Sequence, residues 1–141
     1  MIRVKTLTVQ LIDAKPDRIR ICRIDGESLV TVVVPREDLA EAKSLPNIPQ
    51  RGVYSLLDED HGNVSRVYAG QTTQGIARLD AHKAKKEFWN KAVMFLDDDQ
   101  NISKDALDVL EAKAIDYVRT HGSYETDNSA TPKPYGDPHK E

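Results

Sequence analysis

The sequence predicts an α+β fold: a small antiparallel β-sheet flanked by helices, preceded by a β-rich N-terminal extension. Three observations carry that prediction. Residues 2–34 read as β structure in three runs, the first of which alternates polar and apolar side chains, the period of half-buried strands. Two further apolar-rich runs, 52–57 and 64–68, flank the polar turn segment 58–63, which is a hairpin signal. Apolar residues at helical spacing then appear twice, over 73–86 and after Ser103.

The elements follow in order. Ile2, Val4, Leu7, Val9 and Leu11 mark the first strand, and residues 18–24 and 28–34 the next two. Between the latter, Asp25-Gly26 supplies the positive φ angles that a two-residue hairpin turn requires. Pro35 ends the third strand, a short helix is expected over 36–42, and Pro46 and Pro49 stiffen a connection that marks the expected domain boundary. Residues 1–46 are thus expected to be the extension, 47–132 the main domain and 133–141 a flexible tail. The extension is too small to bury much core alone and is expected to pack against the main domain. The helix over 73–86 starts from Thr72 or Thr73 as N-cap and carries Ile76, Ala77, Leu79, Ala81 and Ala84. A strand is expected over 91–96. Ser103 caps the clearest helix, with Ile102 and Leu107 placed for a hydrophobic staple and Gly122 for a left-handed stop. Beyond Asn128 the composition of Thr, Pro, Lys, Gly and Asp cannot offset the entropy of ordering.

At 141 residues, 39% hydrophobic and 30% charged, the chain fits one globular domain with an appendage. No apolar run approaches the roughly 18 residues of a membrane span, and the N-terminus lacks the continuous apolar block of a signal peptide. The single cysteine, Cys22, can form neither an internal disulfide nor a cysteine-based zinc site and is expected as a small buried hydrophobe. These features place the chain in a reducing compartment, and the expected localisation is cytoplasmic. Net charge is −3 with a pI near 5.8, so phosphate binding would need a local patch. Residues 66–91 offer one: Arg66, Arg78, Lys83, Lys85, Lys86 and Lys91 against only Asp80 and Glu87. The plain alternative for the lysines is a solvated helix end.

Two small elements, Gly52-Val53-Tyr54 and Tyr68-Ala69-Gly70, are followed in order by Arg78, His82, Glu111 and Asn128. Arg78 and His82, four apart, share one helix face and can address one phosphate. Glu111 falls in the apolar stripe Leu107, Leu110, Ala114, Tyr117 and Val118. A carboxylate there is either neutral and hydrogen-bonded or held by a cation. Tyrosine on a strand ordinarily packs. Gly70, however, closes a strand where a missing side chain lets a nucleic-acid backbone or the other strand approach closely. Asn128 sits in loop-like sequence where a plain Asx turn is the alternative.

Over residues 51–132 this order resembles the GIY-YIG nuclease family, with Val53 and Ala69 in place of the isoleucines. The resemblance implies a divalent-metal-dependent endonuclease that hydrolyses DNA phosphodiester bonds. Its site would comprise Tyr54, Tyr68, Arg78, His82, Glu111 and Asn128, with Glu111 holding Mg²⁺ or Mn²⁺. One of the phenols would serve as general base. At pH 7 a free phenol with a pKa of about 10 is ionised at a cost of roughly 4 kcal/mol, which the site must supply. Tyr68 is favoured, with Tyr54 as its hydrogen-bonding partner, and the residues alone do not exclude the reverse. The expected partner is DNA, met by Gly70, Lys83, Lys85 and Lys86, and the end at Glu141 fits a segment of a longer parent chain carrying a further domain. Phe88-Trp89 is expected in the core, and His61, His121 and His139 are given no role. Two alternatives stand: a nucleic-acid-binding module that keeps the fold without turnover, and a protein-interaction module using the N-terminal sheet and the acidic run at 97–99.

Overall fold

The β-branched run Val30, Thr31, Val32, Val33, Val34 alternates between a buried face and a half-buried one, and this alternation organises the whole sheet. The computed structural model describes Ile2, residues 4–97 and residues 125–126. Its strands are β1 (Leu7–Leu11), β2 (Arg20–Ile24), β3 (Leu29–Pro35), β4 (Arg51–Asp60), β5 (Asn63–Thr72), β6 (Lys91–Asp97) and the two-residue β7 (Glu125–Thr126). They form one sheet in the order β1-β2-β3-β6-β4-β5-β7. Every neighbouring pair is antiparallel except β5 and β7, which are parallel.

The register aligns the apolar set across strands. Val30, Val32 and Val34 oppose Leu96, Met94 and Ala92 on β6. Those in turn oppose Gly52, Tyr54 and Leu56 on β4. Over this face lie Leu39 and Ala42 from the one-turn helix α1 (Leu39–Ala42), Leu79 from α2 (Leu79–Lys85), and Ile76 and Trp89 from the segments flanking α2. Central β6 therefore joins the N-terminal strands to the tyrosine hairpin, and the proline-stiffened connection at 46–49 links two parts of one sheet sharing one core. Cys22, expected to be buried, is only half-buried, because it alternates on β2 with the core residue Ile21.

Three local readings change. The hairpin of β4 and β5 is longer than the apolar runs suggested, because the polar stretch 58–63 is mostly strand. Its turn is only His61-Gly62, both with positive φ (50° and 84°), the two-residue geometry that matches strand twist. In Asp25-Gly26 only Gly26 takes a positive φ, 81°, and the Glu27 N–H closes the turn on the Ile24 carbonyl. The expected helix over 73–86 is a 3₁₀ turn, Gly75–Arg78, followed by α2. Thr72 accepts a hydrogen bond from the Gln74 N–H at 2.9 Å, and its hydroxyl donates to the Gly75 carbonyl at 3.2 Å, so it shapes the turn before the helix rather than capping it. Ile76, Leu79 and His82 form the buried stripe, whereas Ala77, Ala81 and Ala84 are exposed. The helix expected from Ser103, with Glu111, and the expectations for Gly122, Asn128 and the tail 133–141 lie outside the described residues.

Candidate active-site cleft

Tyr54 stands in the middle of β4, opposite Gly70 on β5 and Met94 on β6. Its ring crosses the sheet face over Gly70: a Cβ built there would lie 2.6 Å from the Tyr54 Cζ and Oη. The absence of a side chain at Gly70, expected to admit a nucleic-acid backbone or the other strand, is thus taken up by this ring from β4, and Gly70 is buried. So placed, the phenol reaches α2, where Tyr54 Oη and His82 Nε2 are 2.5 Å apart in the interior. Tyr54 is 2% exposed and His82 5%.

Burial pushes the His82 imidazole down from its ordinary 6.5 to about 4, with Arg78, Lys86 and Lys85 adding like-charge repulsion. The ring is therefore neutral near pH 7. One of its two nitrogens is then bare, and the imidazole tautomer sets which of the two groups donates in the Tyr54–His82 bond. Tyr68 completes a group of three rings, its centroid 6.5 Å from that of Tyr54 and 5.0 Å from His82. The Lys86 ammonium lies 4.5 Å from the Tyr68 ring centroid, a cation–π distance.

A cleft of about 370 Å³ opens beside these rings, lined by Tyr54, Tyr68, Gln71, Thr72, Thr73, Gln74 and Arg78. The structure thus brings Tyr54, Tyr68, Arg78 and His82 together from two strands and the segment after them. Lys86 stands at the Tyr68 ring, and Lys83 and Lys85 are exposed on α2. Glu111 and Asn128 are outside the described residues.

One supporting residue was not legible in the sequence. Arg36, just after β3, donates Nη1 to the Lys86 carbonyl at 2.7 Å and the Trp89 carbonyl at 3.2 Å, and Nη2 to the Lys83 carbonyl at 2.7 Å. Its guanidinium also sits 4.7 Å from the Trp89 ring centroid. The carbonyls at the end of α2, which have no partner within the helix, thereby gain a cationic one. Trp89 Nε1 in turn donates to the His82 carbonyl at 3.4 Å. No local pattern announces Arg36, because its partners are about fifty residues away in the chain.

No protein-family model, curated protein or solved structure matches the chain.

The described wall consists of phenol, hydroxyl and amide groups with one guanidinium, a set suited to an anion. It does not by itself fit Mg²⁺ or Mn²⁺, which take carboxylate oxygens. Among the described residues no group of three or more His, Cys, Asp or Glu could hold a metal ion. No described helix is long and apolar enough to cross a membrane.

Proposed function

We propose that the cleft is a phosphodiesterase site and that the protein is a divalent-metal-dependent endonuclease acting on DNA. The supporting observation is that Tyr54, Tyr68 and Arg78 line one cleft, with His82 buried behind it on the Tyr54 hydroxyl. Arg78 would neutralise the phosphoryl oxygens with a charge that does not titrate. Tyr68, less buried than Tyr54, is assigned to take the proton of the attacking water, with the Lys86 ammonium over its ring. Tyr54 holds its hydrogen bond to His82 and fixes the ring cluster. An anion beside Arg78 offsets part of the repulsion that keeps His82 neutral, so substrate binding makes His82 a better acceptor for the Tyr54 proton. The carboxylate for a divalent ion is assigned to Glu111, and the ion would stabilise charge on the phosphoryl group. The carboxylate-free wall favours a second reading, a DNA-binding module without turnover.

Supercoiled plasmid incubated with and without Mg²⁺ or Mn²⁺ separates the two. The proposal expects metal-dependent nicking that Arg78→Ala and Glu111→Ala abolish while circular dichroism stays native. Arg78-dependent binding without nicking selects the binding module. A protein that neither cuts nor binds DNA overturns both.

A further inference from the structure

β1 lies at one end of the sheet and, among the described residues, pairs with β2 alone. Two bonds fix which of its backbone groups face outward. The Thr6 carbonyl accepts from the Asp25 N–H at 2.9 Å, and the Ile12 N–H donates to the Ile19 carbonyl at 3.1 Å. Even-numbered residues therefore point toward β2, and by antiparallel alternation the N–H and C=O groups of Leu7, Val9 and Leu11 point to the open edge. These same three side chains share one sheet face and are 60%, 47% and 39% exposed. Edge strands are usually protected from further pairing by a charge, a proline or a bulge. Leu7-Thr8-Val9-Gln10-Leu11 contains no charge and no proline.

The strand is also symmetric about its centre. Laid antiparallel on a copy of itself with Val9 opposite Val9, Leu7 meets Leu11, Leu11 meets Leu7, and Thr8 faces Gln10. All the outward-pointing residues then fall in pairs that exchange both N–H···O bonds. The paired segment ends at Leu11 on each copy, because Ile12–Ala14 form a 3₁₀ turn in which Asp13 takes a positive φ of 56°. A slip of one residue would turn the apolar side chains to opposite faces and misalign the donors.

We propose that two copies of this chain associate by antiparallel pairing of their β1 strands about a two-fold axis at Val9. The result is one continuous sheet across both copies. A second copy is the favoured occupant because the match of apolar register and backbone parity is a property of this strand against itself. The pairing also extends one apolar face, since Leu29 and Phe95, 38% and 40% exposed, lie on the same side as Leu7, Val9 and Leu11. Two five-residue strands cover less than the roughly 800 Å² per partner of a standard interface, so the dimer is weak and reversible.

Sedimentation velocity on the full chain, from about 10 μM to about 500 μM, tests this over the range of a weak interface. Wild type should pass from monomer to dimer with rising concentration. Val9→Lys and Val9→Glu, each native by circular dichroism, should weaken the dimer by about 10-fold, because an apolar pair is lost and like charges meet on the axis. An equimolar mixture of the two variants should restore it. If the Val9 variants fail to fold, Leu7→Glu/Leu11→Lys should keep the dimer while Leu7→Lys/Leu11→Lys loses it. A wild type that stays monomeric, a charged single variant that dimerises like wild type, or a mixture that remains monomeric overturns the proposal.

Discussion

The ring of Tyr54 occupies the place where a side chain on Gly70 would stand, 2.6 Å from the position of its missing Cβ. The pairing of these two residues couples the two tyrosine-glycine elements physically: the glycine of one makes room for the tyrosine of the other.

Gly70→Ala should therefore displace the Tyr54 phenol from His82, since a buried ring held by a hydrogen bond has nowhere to yield. Overpacking of this kind costs about 1–3 kcal/mol. Gly52→Ala should be worse, because its Cβ would collide with the Phe95 carbonyl, which is backbone. Denaturant midpoints measure both, and an unchanged midpoint for Gly70→Ala would show that the ring is free to move.

The two tyrosines should separate in their effects. Tyr54→Phe strips a buried imidazole of its phenol partner and should cost about 1–3 kcal/mol of stability. Tyr68→Phe should change stability by less than about 1 kcal/mol, yet lower nicking by roughly 10² to 10⁴ if its phenol is the base. Paired unfolding and pH–rate measurements decide this. Greater kinetic damage from Tyr54→Phe would transfer the base role to Tyr54.

Stability should depend on pH through His82. The unfolded imidazole takes up its proton near 6.5, whereas the folded one resists until about 4. Between these values the unfolded chain binds more protons, so stability is full above about 6.5 and falls as the pH drops toward 4, by up to about 3 kcal/mol. Urea titrations of wild type and His82→Gln across this window isolate the effect, because the other titrating groups are common to both. Parallel curves would rule His82 out as the source.

Arg36→Ala should loosen the end of α2 by removing the charged donor to three carbonyls and the contact with Trp89. A loss of about 2–3 kcal/mol is expected. Arg36→Lys should recover less than half of it, since an ammonium cannot fork between carbonyls. Thermal melts of the three proteins give the answer, and full rescue by lysine would reduce the role of Arg36 to its charge.

Changing Lys83, Lys85 and Lys86 together to alanine should flatten the salt dependence of DNA affinity, by about 0.9 in log–log slope for each phosphate that no longer meets a lysine. An unchanged slope places DNA on another surface.

Strong, local signals were legible in the sequence. Apolar strand-length runs located β2 and β3, a short continuous apolar run located β6, and the order of tyrosines, Arg78 and His82 located four residues that converge in space. The features that escaped depend on the rest of the chain. His61-Gly62 was hidden inside the polar segment 58–63, whose acidic residues have turn-like composition although Asp58–Asp60 continue the strand. The helix over 73–86 was overextended because Gly75, with φ of 63° and its N–H on the Gln50 carbonyl, bends the chain to meet β4 before α2 can begin. The burial of His82, which makes it a neutral partner of Tyr54 rather than a surface cation, accompanies the reach of Tyr54 across Gly70 and has no sequence signature.

The central position of β6 also governs the order of assembly during synthesis. β3 is complete at Pro35, but its neighbour in the sheet ends only at Asp97. At about 5–20 residues per second the ribosome needs roughly 3–12 s to deliver that strand. Once β5 is also complete at Thr72, the nascent chain holds strands on both sides of the gap that Ala92, Met94 and Leu96 will fill. Closure is then a single late event that joins both halves, so the emergence of one seven-residue strand sets when the molecule stops needing protection from aggregation.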